Sequence, residues 1–318
     1  MENLKKNKYN IAFFGSPEIA TPLLNSLHSF PGFNVKFVVT QPDKKGNKNL
    51  ITQSAVKTVA QKLNIPVYQF ISLNDPICDK LCRDAQLDVC VLFAFGSIIP
   101  SSLLDIPHMG WLNVHPSLLP RFRGASPIQS AILAGDTKTG ISLILMDDGV
   151  DTGPIIQQWD VSIDALETAL SLTKKIAQSS ATVIAQSAFH YLQNDKQPTA
   201  QPEEGHTMTR RLIKEDGKID WNRPAQYIER MIRAYTPWPG TYTFVKNERI
   251  KILSATFAPS PQPNNQIGIF TYTSRGLHIS CGKHTVLRIT SLQRAGKKPQ
   301  SANEFVRGFP DIINQQIS

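Results

Sequence analysis

The alternation of short apolar runs with amphipathic segments over the first 150 residues restricts the fold more than any other feature of this chain. Asn10–Gly15 (NIAFFG) is an apolar run closing on a glycine and predicts a buried strand. Glu18–Ser29 follows with apolar residues at helical spacing. Asn34–Thr40 (NVKFVVT) is rich in β-branched and aromatic residues. Ser54–Leu63 sets Val56, Val59, Ala60 and Leu63 on one side of a helix, and Pro66–Gln69 is a brief strand. Asp88–Ala94 (DVCVLFA) and Gly110–His115 (GWLNVH) add two more buried strands. Strands that are apolar along their whole length need cover on both faces. The pattern therefore predicts a Rossmann-like α/β fold, a mostly parallel sheet with helices on both faces. The turn after the first strand reads Gly15-Ser16-Pro17-Glu18, not G-x-G-x-x-G, so a dinucleotide site is poorly supported. Ligands of such sheets still gather beyond the carboxyl ends of the strands, which is where Asn113 and His115 fall.

At 318 residues the chain is long for one core. A helix is predicted near Thr168–Leu192. The polar stretch 194–206, with Pro198 and Pro202, reads as a linker between a first domain, 1–193, and a second, 207–318. In the second domain a helix is predicted at Ala225–Tyr235. Five short β-like runs follow: Thr241–Val245, Ile250–Phe257, Gln266–Tyr272, Leu277–Ser280 and Val286–Leu292. Glycine, proline and asparagine separate them, which predicts a small OB-like β-barrel. Residues 1–205 carry 17 Lys and Arg against 18 Asp and Glu, and residues 206–318 carry 17 against 7. The whole positive excess thus sits in the last third. Either a polyanion partner, most simply nucleic acid, or a generic solubilising surface accounts for it.

No run of about 18 apolar residues exists, and Ile11–Phe14 is too short for a signal-peptide core, so a cytoplasmic protein is expected. Cys78 and Cys82 are four apart with no His or Cys partner nearby. They, Cys90 and Cys281 read as buried thiols, and no metal is expected.

The densest segment for chemistry is Asn113–Gln129, NVHPSLLPRFRGASPIQ. Asn113 and His115 are two apart on one strand, so their side chains share a side. Asp147–Gly153, DDGVDTG, adds three carboxylates among turn-forming glycines. An imidazole, a carboxamide and a carboxylate together can run acyl transfer to an amine. The first moves the amine proton, the second steadies an oxyanion, and the third orients the imidazole. Spacing alone does not choose this over hydrolytic or phosphoryl chemistry, or over a plain Asx-turn loop.

The string HPSLLP (His115–Pro120), preceded by Asn113 and followed by Asp151-Thr152-Gly153, resembles the formyltransferase family that uses 10-formyltetrahydrofolate. The resemblance implies a catalytic trio of Asn113, His115 and Asp151, leaving Asp147 and Asp148 to structural roles. Longer strings are similar to the branch of that family that formylates methionyl-tRNA: FFGSPEIATPLL (Phe13–Leu24), VTQPDKKGNKNL (Val39–Leu50), SLLPRFRGASPIQ (Ser117–Gln129) and GDTKTGISLILMDDGVDTGPII (Gly135–Ile156). So are IRAYTPWPG (Ile232–Gly240) and SLQRAGKKPQSANEFVRG (Ser291–Gly308), so the likeness runs from about residue 9 to 310. It implies 10-formyltetrahydrofolate as co-substrate and initiator methionyl-tRNA as acceptor; a monomer is expected. A related branch formylates the amine of a nucleotide sugar, and is the alternative.

By the same resemblance the folate lies along Ser117, Leu118, Leu119 and Pro120 and against Phe95, Gly96 and Ile98. The tRNA-binding residues would be Lys44, Lys45, Lys48, Arg121, Arg123, Lys297 and Lys298. One segment departs from the family. After Thr40-Gln41-Pro42-Asp43 the relatives read like R-P-A-G-R-G-K-K-L. Here Lys44–Leu50 (KKGNKNL) is two residues shorter and has no arginine. Trp238, between two prolines, is expected to pack against the protein.

Overall fold

The computed structural model describes residues 8–45, 51–258, 266–315 and 317. The chain forms two compact units. The first takes in the chain to Gly124, Lys138–Ser162 and Thr173–Thr209. The second takes in Ala125–Thr137, Ile163–Leu172 and the chain from Arg210.

The strands of the first unit are β1 (Tyr9–Phe14), β2 (Phe33–Thr40), β3 (Lys44–Lys45), β4 (Ile51–Thr52), β5 (Val67–Gln69), β6 (Val89–Leu92), β7 (Trp111–His115), β8 (Arg123–Gly124), β9 (Lys138–Leu145), β10 (Ile155–Ser162) and β11 (Met208–Thr209). Seven of these make the main sheet in the order β10-β9-β7-β6-β1-β2-β5. From β5 to β7 the neighbours are parallel, and β9 and β10 close the sheet antiparallel. The order turns back at β1, which has β2 on one side and β6 on the other. In open α/β sheets that reversal marks the ligand crevice.

The strands are apolar because they are covered: Ile11, Ala12, Phe13 and Phe14 are all fully buried. Phe14 meets the Phe95 ring edge-on at 5.5 Å and the Trp111 ring at 4.6 Å. Trp111 in turn donates its indole N–H to the carbonyl of Leu103 at 2.7 Å, so the core satisfies its one polar atom.

The helices are α1 (Thr21–Ser29), α2 (Ala55–Lys62), α3 (Pro76–Asp84), α4 (Ser101–Leu104), α5 (Pro127–Ala134) and α6 (Ala169–Leu192), of which α5 and the first four residues of α6 belong to the second unit. Side-chain caps start two of them: Ser54 accepts from Lys57 N at 3.1 Å, and Asp75 accepts from Ile77 N at 2.9 Å. Helix α6 buries Ile176, Ser180, Ile184 and Ala188 at every fourth residue, as a helix lying along a sheet must. The sequence reading places no element at 155–162. The structure finds an edge strand there, half-exposed and therefore polar enough to hide its β character.

The second unit adds α7 (Ala225–Ala234), β12 (Thr241–Val245), β13 (Glu248–Ala258), β14 (Phe270–Thr273), β15 (Gly276–Cys281), β16 (Thr285–Arg294), β17 (Gln300–Ser301) and α8 (Ala302–Gly308). Its antiparallel sheet runs β12-β13-β16-β15-β14, with β17 pairing to β16. The five predicted β runs are these strands, and their order is consistent with an OB-like barrel. Phe270, Leu277, Ile279, Leu287, Leu292 and Phe305 fill its core. Within this unit α5 packs on α7.

Candidate active site

Strand β7 ends at His115 and carries Asn113 on the same side. Asp151 arrives from the turn between β9 and β10. That turn sorts its three carboxylates by local geometry. Asp147 accepts from Gly149 N at 3.1 Å and from Thr152 Oγ1 at 2.7 Å, closing the turn on itself. Asp148 accepts from Ser101 Oγ at 2.8 Å. Asp151, in left-handed backbone at φ 54°, is the one that turns back to β7. Gly153 lies so close to β9 that a Cβ there would stand 1.9 Å from the Leu145 carbonyl oxygen. Only glycine lets the turn pass.

The Asp151 carboxylate takes three partners. Asn113 Nδ2 donates to one oxygen at 2.9 Å, Gly124 N donates to the other at 2.8 Å, and His115 Nδ1 stands 3.4 Å from that second oxygen. The other imidazole nitrogen, Nε2, is 2.9 Å from the Phe122 carbonyl. A carbonyl can only accept, so Nε2 carries the proton of the neutral ring and Nδ1 is left as the basic lone pair facing Asp151. His115 is 4% exposed. Burial pulls its pKa below the ordinary histidine value, while Asp151 and the Phe122 carbonyl oppose that pull.

The loop after β7 is held rigidly. Ser117 is buried and donates from Oγ to the Arg121 carbonyl at 2.6 Å. Ser142 of β9, also buried, accepts from Leu119 N at 3.1 Å and donates to the Ser117 carbonyl at 2.6 Å. Gln158 of β10 donates to the Leu119 carbonyl at 2.9 Å and to Ser142 Oγ at 2.8 Å. Leu118 packs over Gly140, and Pro120 follows a cis peptide bond.

Of the other expected folate contacts, Ile98 is 86% exposed and Gly96 has open space around its Cα. Phe95 is buried against Phe14 in the core.

Among the expected tRNA contacts, Lys44 and Lys45 form the short strand β3 paired to β4, and Lys48 lies outside the described residues. Asp43, just before them, is fixed by Lys57 Nζ at 2.6 Å and Gln69 Nε2 at 2.9 Å. Arg121 is exposed and stacks over the Phe122 ring at 4.4 Å. Arg123 points its guanidinium at Gln201 Oε1, with Nη2 at 2.7 Å and Nε at 3.0 Å. In the second unit Arg294, Lys297, Lys298, Gln300, Gly308 and Phe309 line a cavity of about 290 Å³. Arg294 there is engaged by both oxygens of Glu248, each at 2.7 Å. Trp238 is half-exposed at 49%, contrary to the packing role expected of it.

Two groups of site residues escape a reading of the sequence. Ser142 is a lone polar residue inside the apolar run ISLIL, a signal that a buried hydroxyl with a structural task is present. Gln201 sits in a polar, proline-containing stretch with nothing to distinguish it from its neighbours.

A Rossmann-like sheet thus brings a buried imidazole, a carboxamide and a carboxylate together beyond the end of one strand, a set able to do acid–base chemistry. Comparison with known proteins narrows this class. The formyl transferase family model matches residues 9–187, and the model of the formyl transferase C-terminal domain matches 211–310. The chain belongs to the formyltransferase family. It is 39% identical over 304 residues to the methionyl-tRNA formyltransferase of Marinobacter nauticus, covering 95% of this chain and 97% of that protein. It is 39% identical over 300 residues to the methionyl-tRNA formyltransferase of Myxococcus xanthus, covering 94% of each.

Among solved structures it resembles WlaRD, a sugar 3N-formyl transferase crystallised with dTDP and 5-N-formyl-THF. The TM-score is 0.66 at 20% identity, over 91% of this chain and 99% of that one. The N-formyltransferase of Helicobacter canadensis, in complex with folinic acid and dTDP-3-aminofucose, gives a TM-score of 0.65 at 18% identity, over 89% and 98%. At these identities the structural likeness establishes the fold alone.

Proposed function

We propose that this chain transfers the formyl group of 10-formyltetrahydrofolate to the free amino group of methionyl-tRNA, by direct attack of the amine and without a covalent enzyme intermediate. The observation that carries this reading is the Asn113–Asp151–His115 set, in which a buried imidazole stands 3.4 Å from a carboxylate that Asn113 and Gly124 hold in place. Its relatives of 39% identity over nearly the full chain carry the same activity in their names.

The roles follow from the geometry. His115 Nδ1 receives the proton that the amine sheds as it bonds to the formyl carbon. Asp151 stabilises the imidazolium that results, and His115 later returns the proton to the departing folate nitrogen. Asn113 spends one N–H on Asp151. The carboxamide has a second, suited to the oxygen on which negative charge develops. Formyltetrahydrofolate supplies the activated one-carbon unit. The exposed Ile98 and the open backbone at Gly96, at the carboxyl end of β6, fit a flat heterocycle. The rigid Ser117–Pro120 loop offers it a preformed wall.

For the acceptor, Lys297 and Lys298 at the cavity of the second unit provide point charges for phosphates, and Lys44, Lys45, Lys48 and Arg121 provide others. Arg123 is tied to Gln201 and contributes to the shape of the site rather than to phosphate contact. The division into a catalytic part, 1–193, a connection, 194–206, and a basic tRNA-binding part, 207–318, belongs to the same reading, as does a cytoplasmic monomer. No helix among the described residues is long and apolar enough to cross a membrane.

The test is incubation of the purified chain with 10-formyltetrahydrofolate and methionyl-tRNA, with recovery of N-formylmethionine from the tRNA as the expected result. A parallel reaction with an amino-sugar nucleotide serves as control. Formylation of the sugar and not of the tRNA would replace the acceptor in this proposal.

A further inference from the structure

The polar stretch that the sequence presents as a linker lies along the first unit and braces the trio. Thr199 pairs with Ile155 at the start of β10 through two backbone hydrogen bonds, at 2.7 and 2.8 Å. Residues 202–208 are exposed, while Gln201 is half-buried. Its carboxamide is fully used. Nε2 donates one hydrogen to the Asp151 carbonyl and the other to the Gly153 carbonyl, both at 2.8 Å. Oε1 accepts both bonds from Arg123. One side chain therefore spans the turn that carries Asp151 and the strand that follows Phe122.

Six residues on, Thr207 repeats the task. Its Oγ1 accepts from Phe122 N at 2.8 Å, and its carbonyl accepts from Arg123 N at 2.9 Å. Then β11 pairs with β8, and a Cβ on Gly124 would stand 2.2 Å from the Thr209 carbonyl oxygen.

What the brace holds is specific. Among the described residues Asp151 and Phe122 contact the His115 ring nitrogens, one by carboxylate and one by carbonyl. Both are non-glycine residues in left-handed backbone, φ 54° and φ 63°. That conformation is tolerable for aspartate and costly for a bulky phenylalanine, and persists where the surroundings over-determine it. The surroundings here are Gln201 on the Asp151 side and Thr207 on the Phe122 side.

We infer that Gln201, seconded by Thr207, is a positioning residue of the transfer reaction: it sets the orientation of Asp151 against His115 and touches neither substrate. The inference rests on the proposed roles of the trio. Asp151 is the charged group facing the His115 ring among the described residues, with the Phe122 carbonyl on the ring's other nitrogen. Loosening the brace moves the group that sustains the basicity of the ring.

Three variants test this. Gln201→Glu keeps size and the bond from Arg123 but loses both donors. Gln201→Met keeps size alone. Thr207→Val keeps shape and loses the acceptor. Each is measured for kcat and for KM of each substrate. Each is also followed, without substrates, by NMR titration of the His115 imidazole in the full-length protein. Both Gln201 variants should lose kcat by up to about 100-fold, the scale of a misplaced catalytic group. KM should change by less than about threefold, since no uniform binding is removed. In Gln201→Met, which adds no charge, the His115 resonance should titrate at lower pH than in the parent; in Gln201→Glu the new carboxylate opposes that shift, so this variant is judged by kcat.

Wild-type kcat in either Gln201 variant, or an unshifted titration in Gln201→Met, overturns the inference. So does a rise in KM alone, which would make Gln201 a substrate contact. If Gln201→Glu does not fold, Gln201→Met and Thr207→Val decide by the same criteria. If the parent chain formylates nothing, the proposed function fails. The titration still judges the brace in that case.

Discussion

Replacing Asp151 by Asn removes a charge and almost no volume, so its effect can be worked out from distances. Imidazolium and carboxylate 3.4 Å apart, in an effective dielectric of about 20, attract by on the order of 5 kcal/mol. Both groups are largely buried, so solvent screens little of this. Only the part that develops between ground and transition state affects the rate. If half of it develops, kcat falls by about 100-fold, and if all of it does, by a few thousand-fold. The substituted amide also has to turn its NH2 toward Asn113 Nδ2 or Gly124 N, and so faces a donor with a donor.

The pH dependence carries a sign. Activity needs neutral His115, so kcat rises with pH through the pKa of that ring, which burial holds below 6.5. Asp151 raises that pKa, so Asp151→Asn moves the acid limb to lower pH while the plateau drops. A rapid-quench assay of formyl transfer between about pH 4.5 and 8 reads both quantities around the histidine range. A plateau within about threefold of the parent, or an acid limb displaced upward, would refute the role given to this carboxylate.

Other substitutions follow from the same geometry. Gly153→Ala sets a methyl 1.9 Å from the Leu145 carbonyl and should displace the Asp151 turn, lowering kcat and also the melting temperature in calorimetry. Ser142→Ala strands the Leu119 N–H and removes a partner of Gln158; at about 1–3 kcal/mol for each buried group left unpaired, stability in urea should fall and the KM for folate rise. Lys297→Ala with Lys298→Ala should raise the KM for methionyl-tRNA, leave that for folate unchanged, and reduce the salt slope of tRNA binding by about 2. His115 binds its proton less readily folded than unfolded. The native state is therefore penalised as pH falls from about 6.5 through the depressed folded value, and His115→Gln should flatten that part of the stability profile measured by denaturant titration.

The parallel sheet was legible because its strands are apolar on both faces, and α2 because Val56, Val59, Ala60 and Leu63 fall on one side of it. The small sheet was legible because turn residues punctuate it. What stayed hidden shares a cause. Strand β10 is half-exposed at a sheet edge, so its polar residues mask its period. Phe95 and Ile98 sit three apart in one string, and nothing local tells that the first enters the core and the second stays outside. The pairing of Asn113 with His115 could be read from their spacing of two. The contribution of Gln201 could not, because it reaches Asp151 across 50 residues of chain and only the fold brings them together.

The four cysteines, all buried and unpaired, give the molecule an internal gauge of its own opening. Cys78, Cys82 and Cys90 belong to one core cluster of the first unit, and Cys281 to the sheet of the second. Burial pushes the Cys281 thiol up to about 12 and that of Cys90 well above its ordinary value, so neither reacts while its surroundings stay closed. Modification by an aromatic disulfide reagent then proceeds at the rate of local or global exposure, in a ratio of three equivalents to one between the units. A ligand that tightens only the first unit slows three of the four thiols and leaves the fourth untouched. Bound substrates thereby declare which half of the chain they hold, with no label introduced.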